Sequence, residues 1–194
     1  MRLPRWSVAG RVGVYAALAL LGATGCRRYS ESRLNPSIGL NGGFEIAADG
    51  LPVNWLVYTP KIAGGDFDIV LDTLERHGGR QSLAFVVRSA SSVGGWHSPG
   101  FTNEFPSRPG TVHDISFWAR NDGATFRVLV GGVTAMRGTY ETMVQSSAST
   151  NGWQRFAYRY TLPAGYDRLR LEVNVLGPGT FRIDDLAISG VTPR

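Results

Sequence analysis

The sequence predicts an all-β domain, built as two antiparallel sheets packed face to face in a β-sandwich. Two observations carry this prediction. Glycine fills 25 of 194 positions, nearly twice the usual share of ~7%, with no Gly-X-Y period. It falls instead in turn signals that recur along the chain, among them Asn41-Gly42-Gly43, Gly78-Gly79, Gly94-Gly95, Asp122-Gly123 and Asn151-Gly152. Between these turns, short runs rich in β-branched and aromatic residues alternate apolar and polar positions with period two, as half-buried strands do.

The strands follow in chain order. Trp55, flanked by Val53 and Val57, reads as a core residue of an early strand. Leu83, Phe85 and Val87 form an inward row. Ile115, Phe117 and Ala119 face one way and Ser116, Trp118 and Arg120 the other. Phe156, Tyr158 and Tyr160 share a face opposite Ala157 and Arg159. Leu169, Leu171, Val173 and Val175 oppose Arg168, Arg170, Glu172 and Asn174. Such strands have one wet face, which fits two stacked antiparallel sheets. In the last strand, Phe181 and Ile183 precede Asp184-Asp185, so alternation points one carboxylate to each side of the sheet. An inward carboxylate is costly unless it is paired or bound to a cation. Trp153 reads as core.

The chain opens with a different kind of segment. Arg2, Arg5 and Arg11 precede an uncharged apolar run from Val12 to Gly25. That run is too short for a membrane span, which needs about 20 residues, and has the form of a signal-peptide core. It ends in Ala23-Thr24-Gly25-Cys26, which resembles the lipobox of bacterial lipoproteins, with alanine where leucine is usual. The resemblance implies a signal peptide over 1–25, lipidation of Cys26, and a polar tether over 26–37 ahead of a domain at 38–194. It also implies a bacterial cell-envelope location, lipid-anchored to a membrane after secretion; several acyl chains hold stably where one would be marginal.

Charge and composition narrow the function. The net charge is +5, but removing the three leader arginines leaves 17 basic against 15 acidic residues, and nucleic acid loses most of its support as a partner. A single cysteine excludes a disulfide scaffold and any Cys-based zinc cluster. Catalytic signals are sparse. No acidic cluster runs along one strand, although Asp66 and Asp68 share a strand face. There is no Gly-x-Ser-x-Gly elbow, phosphate loop or dinucleotide fingerprint, and His97 and His113 beside Ser98 and Asp114 are sequence neighbours only. The reading is not an enzyme.

Several segments together resemble carbohydrate-binding modules of the CenC type, which are galactose-binding-like jelly rolls. They are Asn41-Gly42-Gly43-Phe44-Glu45 with Pro52-Val53-Asn54-Trp55, His77-Gly78-Gly79-Arg80-Gln81-Ser82-Leu83, Pro109-Gly110-Thr111 with Ile115–Arg120, Trp153, and Ile183-Asp184-Asp185-Leu186. The resemblance covers roughly residues 38–190. It implies a structural calcium held by the Glu45 and Asp184 side chains and by the main-chain carbonyls of Gly43, His77 and Arg80, a mixed oxygen set of the kind calcium takes. The implied function is non-catalytic binding of a poly- or oligosaccharide. Trp96, behind two glycines, and Trp118 with Arg120, on the non-core face of their strand, are the candidate sugar contacts, with Glu172 and Asn174 expected on the same sheet as Trp118. Tyr58 and Tyr140 rank behind them. The alternative is a structural or protein-interaction envelope lipoprotein that keeps the jelly roll without a sugar site.

Overall fold

The structure is a computed structural model and describes residues 33–190. The leader, Cys26 and the first part of the expected tether lie outside the described residues. A 3-10 turn at Pro36–Ile38 is followed by β1 (Ala47–Ala48), β2 (Leu51–Pro52), β3 (Leu56–Tyr58), β4 (Gly65–Asp72), β5 (Ser82–Ala90), β6 (Gly100–Pro106), β7 (Val112–Asp122), β8 (Phe126–Val133), β9 (Glu141–Ser146), β10 (Gln154–Thr161), β11 (Arg168–Val175) and β12 (Gly179–Ile188). β1 and β2 pair as a small hairpin. The other ten strands form two five-stranded sheets, ordered β10-β7-β12-β5-β4 and β3-β6-β11-β8-β9, with every pairing antiparallel. We call them the first and second sheet. The predicted all-β sandwich is the observed fold.

The predicted inward rows meet between the sheets. Leu83, Phe85 and Val87, Ile115, Phe117 and Ala119, and Leu169 to Val175 are all buried. Trp55 is wholly buried; its ring meets Phe101 edge-on at 5.1 Å, and its Nε1 donates to the Asn41 carbonyl at 3.1 Å. Such aromatic packing supplies a large share of a small sandwich's stability. Trp153 is not core, contrary to expectation. It precedes β10, is half-buried, and stands edge-on to the His77 ring at 6.0 Å on the outside of the first sheet.

Residues 33–37 are bonded to the domain. Asn54, held at φ 70°, accepts from Asn35 N at 2.6 Å and donates through Nδ2 to the carbonyls of Asn35 and Gly39, while its own N donates to Arg33 O. Those bonds make residues 33–37 part of the domain. The two ends of the domain meet where Leu186 N donates to Gly42 O at 2.9 Å. Any side chain at position 42 would collide with the Leu186 carbonyl, so this close approach requires glycine.

Candidate functional site

The outer face of the second sheet carries charge that is buried. Alternation in β11 turns Arg168, Arg170, Glu172 and Asn174 away from the core, beside Thr102 and Glu104 of β6, Arg127 and Leu129 of β8, and Tyr58 of β3. Arg168, Arg170, Glu172, Glu104 and Tyr58 form one network. Arg170 holds Glu172 through two nitrogens at 2.8 and 3.1 Å, reaches Glu104 at 3.2 Å, and donates to the Tyr58 hydroxyl at 3.1 Å. Arg168 closes on the other oxygen of Glu104 at 2.7 Å. The Glu172 side chain is only 6% exposed and that of Arg170 23%. The paired geometry is what makes such burial tolerable. Burial, and then the Glu172 charge, push the Tyr58 hydroxyl well above its ordinary value, so it stays a neutral donor and acceptor. Burial works to lower the pKa of Arg170, but Glu172 and Tyr58 outweigh it and hold the guanidinium charged.

Two loops cover this face and explain the burial. The loop from Ser91 to Ser98 is tied by the Ser98 hydroxyl, which accepts from Gly94 N at 2.8 Å and donates to Ser91 O at 2.5 Å. Asn174 clamps its tip in both directions: Oδ1 accepts from Gly95 N at 3.1 Å and Nδ2 donates to Gly95 O at 3.0 Å. Gly94 and Gly95 take φ 86° and 59°, which glycine adopts without strain. This clamp sets Trp96 at the Asn174 end of the face, 47% exposed and stacked on His97 at 3.7 Å. From the other end, Tyr140 folds back over Gly131, which lies across from Arg170, and is likewise 47% exposed. From Asn174 to Arg170 the strand advances about 13 Å at roughly 3.3 Å per residue. The face is thus a row of fixed donors and acceptors with a half-exposed aromatic ring near each end.

The structure divides the predicted sugar contacts. Trp96 joins this face. Trp118 and Arg120 do not, because β7 pairs with β10 and β12 in the first sheet, whereas Glu172 and Asn174 lie in the second. Trp118 is half-buried, its ring stacked on His77 at 3.9 Å; Arg120 is held by Glu75 at 2.6 Å. Trp118 thus braces the glycine turn at His77, and Arg120 holds Glu75 just before it. Tyr58 and Tyr140 move from secondary to central candidates. Arg170 and Glu104 were missed as site residues, and Glu172 and Asn174 were set beside Trp118 instead; the hint was a strand whose four outward positions are all polar, with both signs of charge. The other catalytic pairings dissolve. Arg88 clamps Asp66 and Asp68 together at 2.5 and 2.8 Å, Ser98 ties a loop, and buried His113 pairs with Ser107 and the Ser189 carbonyl, not Asp114.

Residues 38–179 match the family described as carbohydrate binding domain. The chain belongs to this family. Solved structures share the fold at low identity. A xylan-binding domain of Paenibacillus barcinonensis Xyn10C matches with 14% identity and TM-score 0.56, over 79% of this chain and 93% of that one. A structure of Clostridium thermocellum xylanase 10B, comprising a family 22 module and a catalytic module with xylohexaose, matches with 18% identity and TM-score 0.56 over 76% of this chain. This carbohydrate-binding domain spans only 27% of that longer protein. A family 4 module matches with 18% identity and TM-score 0.54, over 79% of this chain and 98% of that one. No curated protein matches the sequence.

The predicted calcium residues of this carbohydrate-binding domain converge around Asp184 of β12, the central strand of the first sheet. Glu45 Oε1 accepts from Arg80 N at 2.8 Å and Gln81 N at 3.3 Å. Asp184 Oδ2 accepts from His77 N at 2.9 Å and Gly78 N at 3.0 Å, and Oδ1 from Asp185 N at 2.8 Å. Burial, with the Asp185 charge adding to it, raises the pKa of Asp184 despite these bonds. The side of Gly43 that lacks a side chain forms a cradle: a Cβ there would stand 3.6 Å from Glu45 Cγ, 3.7 Å from Asp185 Oδ1 and 4.0 Å from Asp184 Oδ1. Phe44 and Asp185, beside two of these carboxylates, are held at φ 56° and 47°, strained for residues with side chains. Among the described residues no three His, Cys, Asp or Glu side chains form a metal cage by themselves. A cation in the cradle would therefore need main-chain oxygens as well, which is the mixed set expected. Arg80 Nε meets the other oxygen of Glu45 at 3.2 Å, and the His77 ring meets Asp185 at 2.6 Å.

Proposed function

We propose that the outer face of the second sheet binds a polysaccharide chain without transforming it. The observation that carries this reading is the buried row Tyr58–Arg170–Glu172–Glu104, flanked by the half-exposed rings of Trp96 and Tyr140. The row presents hydrogen-bond partners already fixed by one another, so binding needs little reordering. The rings take the apolar C–H faces of sugars, while the charged groups meet hydroxyls at the rim. The family supports a sugar ligand, and relatives of the same fold named as xylan-binding support a xylan-type chain as its class. Calcium, in this reading, is structural: Glu45, Asp184 and the carbonyls of Gly43, His77 and Arg80 would hold it, neutralising carboxylates that otherwise repel. The lipid anchor at Cys26 would keep the domain at the cell envelope.

Calorimetric titration of residues 33–194 with xylo-oligosaccharides and soluble glucans tests the site. Trp96→Ala should weaken binding about tenfold, the scale of one lost aromatic contact, without lowering the melting temperature. If no polysaccharide is retained in affinity gels by the wild-type domain, the reading fails and a protein-interaction role replaces it. For the anchor, Cys26→Ser should release the protein from membranes; a variant that fractionates and migrates like wild type removes the lipid from the account.

A further inference from the structure

Arginines on the binding face differ in one respect. Arg168 and Arg170 are both paired, to Glu104, Glu172 and Asp167. Arg127, across from Asn174 on β8, has no carboxylate within ion-pair distance among the described residues, and its Nε is buried with no acceptor. Asn174 does not supply one; its amide is engaged with Gly95. The guanidinium packs directly beneath Gly94; any side chain there would collide with its Nη2. Glycine at 94 therefore brings the loop that carries Trp96 down onto an uncompensated positive charge. A buried donor left unsatisfied is costly to keep, and a planar guanidinium matches a carboxylate through two parallel hydrogen bonds.

We infer that the glycan held on this face carries carboxylate groups, and that Arg127 recognises a uronate beside the sugar stacked on Trp96. The inference rests on the proposed sugar-binding reading and names its ligand class: an acidic polysaccharide rather than a neutral one. Arg127 supplies specificity through charge, while the Arg170 row and the aromatic rings supply contacts that any pyranose chain would share.

The test compares glucuronate-bearing xylan with the same polymer after carboxyl reduction, by titration and affinity electrophoresis. The wild-type domain should bind the acidic polymer at least about tenfold more tightly, with an advantage that shrinks as salt is raised. Arg127→Gln should abolish that preference and still bind the reduced polymer, whose retention shows the face intact. If that variant does not fold, the two-polymer comparison on wild type decides alone. Equal affinity for the two polymers overturns the uronate assignment and leaves the sugar site standing. Binding of neither, alongside failure with neutral oligosaccharides, overturns the site itself.

Discussion

The outer faces of the two sheets look alike in sequence and differ in structure. Both alternate arginine with acidic or amide residues along their strands. On the first sheet most pairs stand in water: Arg88 with Asp66 and Asp68, and Arg159 with Asp114, have largely exposed side chains, and Arg182, held by Asp72 and Asp122, is the covered exception. On the second, Arg170, Glu172 and Glu104 lie beneath loops, interlocked with Tyr58. The difference teaches that what covers a strand face, not its alternation, decides whether charge there is solvation or machinery. Exposed ion pairs contribute little to stability, whereas removing one member of a buried set strands its partners.

Substitution on both faces gives the largest contrast. Arg170→Leu should lower stability by about 3 kcal/mol, because Glu172 keeps its charge without its counter-ion, and should abolish polysaccharide binding. Arg88→Ala should leave the melting curve unchanged. Similar losses from the two, measured by denaturant unfolding, would erase the distinction between the faces.

The carboxylate cluster comes next. Calcium at a hundredfold excess over its Kd should add about 2.7 kcal/mol, raising the melting temperature by roughly 5–10 °C for a domain of this size. Chelator should reverse the gain and Asp184→Ala should remove the response. The pH dependence has a definite sign. The folded pKa of Asp184 is raised above its ordinary 3.8, so the folded state holds its proton longer than the unfolded chain does. Without metal, its contribution falls as pH rises through that window. Calcium should flatten the slope; a metal-free domain that gains stability with pH through this residue contradicts the assignment.

Smaller effects sharpen the comparison further. Trp118→Ala should cost about 2 kcal/mol of stability, through the lost His77 stack and burial, and leave sugar affinity intact, the reverse of Trp96→Ala. A paired melting and titration experiment separates them. Tyr58 has a raised folded pKa, so its contribution is whole below pH 10 and is lost as pH climbs beyond. Tyr58→Phe should reduce the alkaline fall in stability, measured by urea unfolding across pH 9 to 11.

The core was legible because period two survives intact: the apolar rows predicted on β5, β7 and β11 are buried, and in the row on β10 Tyr160 is buried while Phe156 and Tyr158 are half-buried against the core. Alternation failed to read three things, each for a physical reason. Trp118 and Glu172 sit on different sheets because jelly-roll crossovers, not strand periodicity, assign β7 and β11 to their neighbours. Arg168 to Asn174 read as a wet face because the loops that bury them come from residues 91–98 and 134–140, distant in sequence. Asp184 and Asp185 follow simple alternation only until the bulge between Asp184 and Ala187, where Asp185 turns left-handed and Leu186 enters the core. Trp153 defeated expectation because hydrophobicity alone does not separate a core ring from one that shields a surface turn.

Asn54 fixes how the domain would bear a load. Pulling on the N-terminal segment reaches Asn54 before any strand, and its bonds to Arg33, Asn35 and Gly39 must part first. Tension then passes to Gly42, whose carbonyl holds Leu186, to Glu45 on Arg80 and to the β1–β2 hairpin before it reaches β3, three residues that would peel from β6 one pair at a time. Tyr58 closes that short strand and touches Arg170. A fibre held on one side and a tether drawn on the other would therefore strain the same edge, with a single asparagine as the buckle between them.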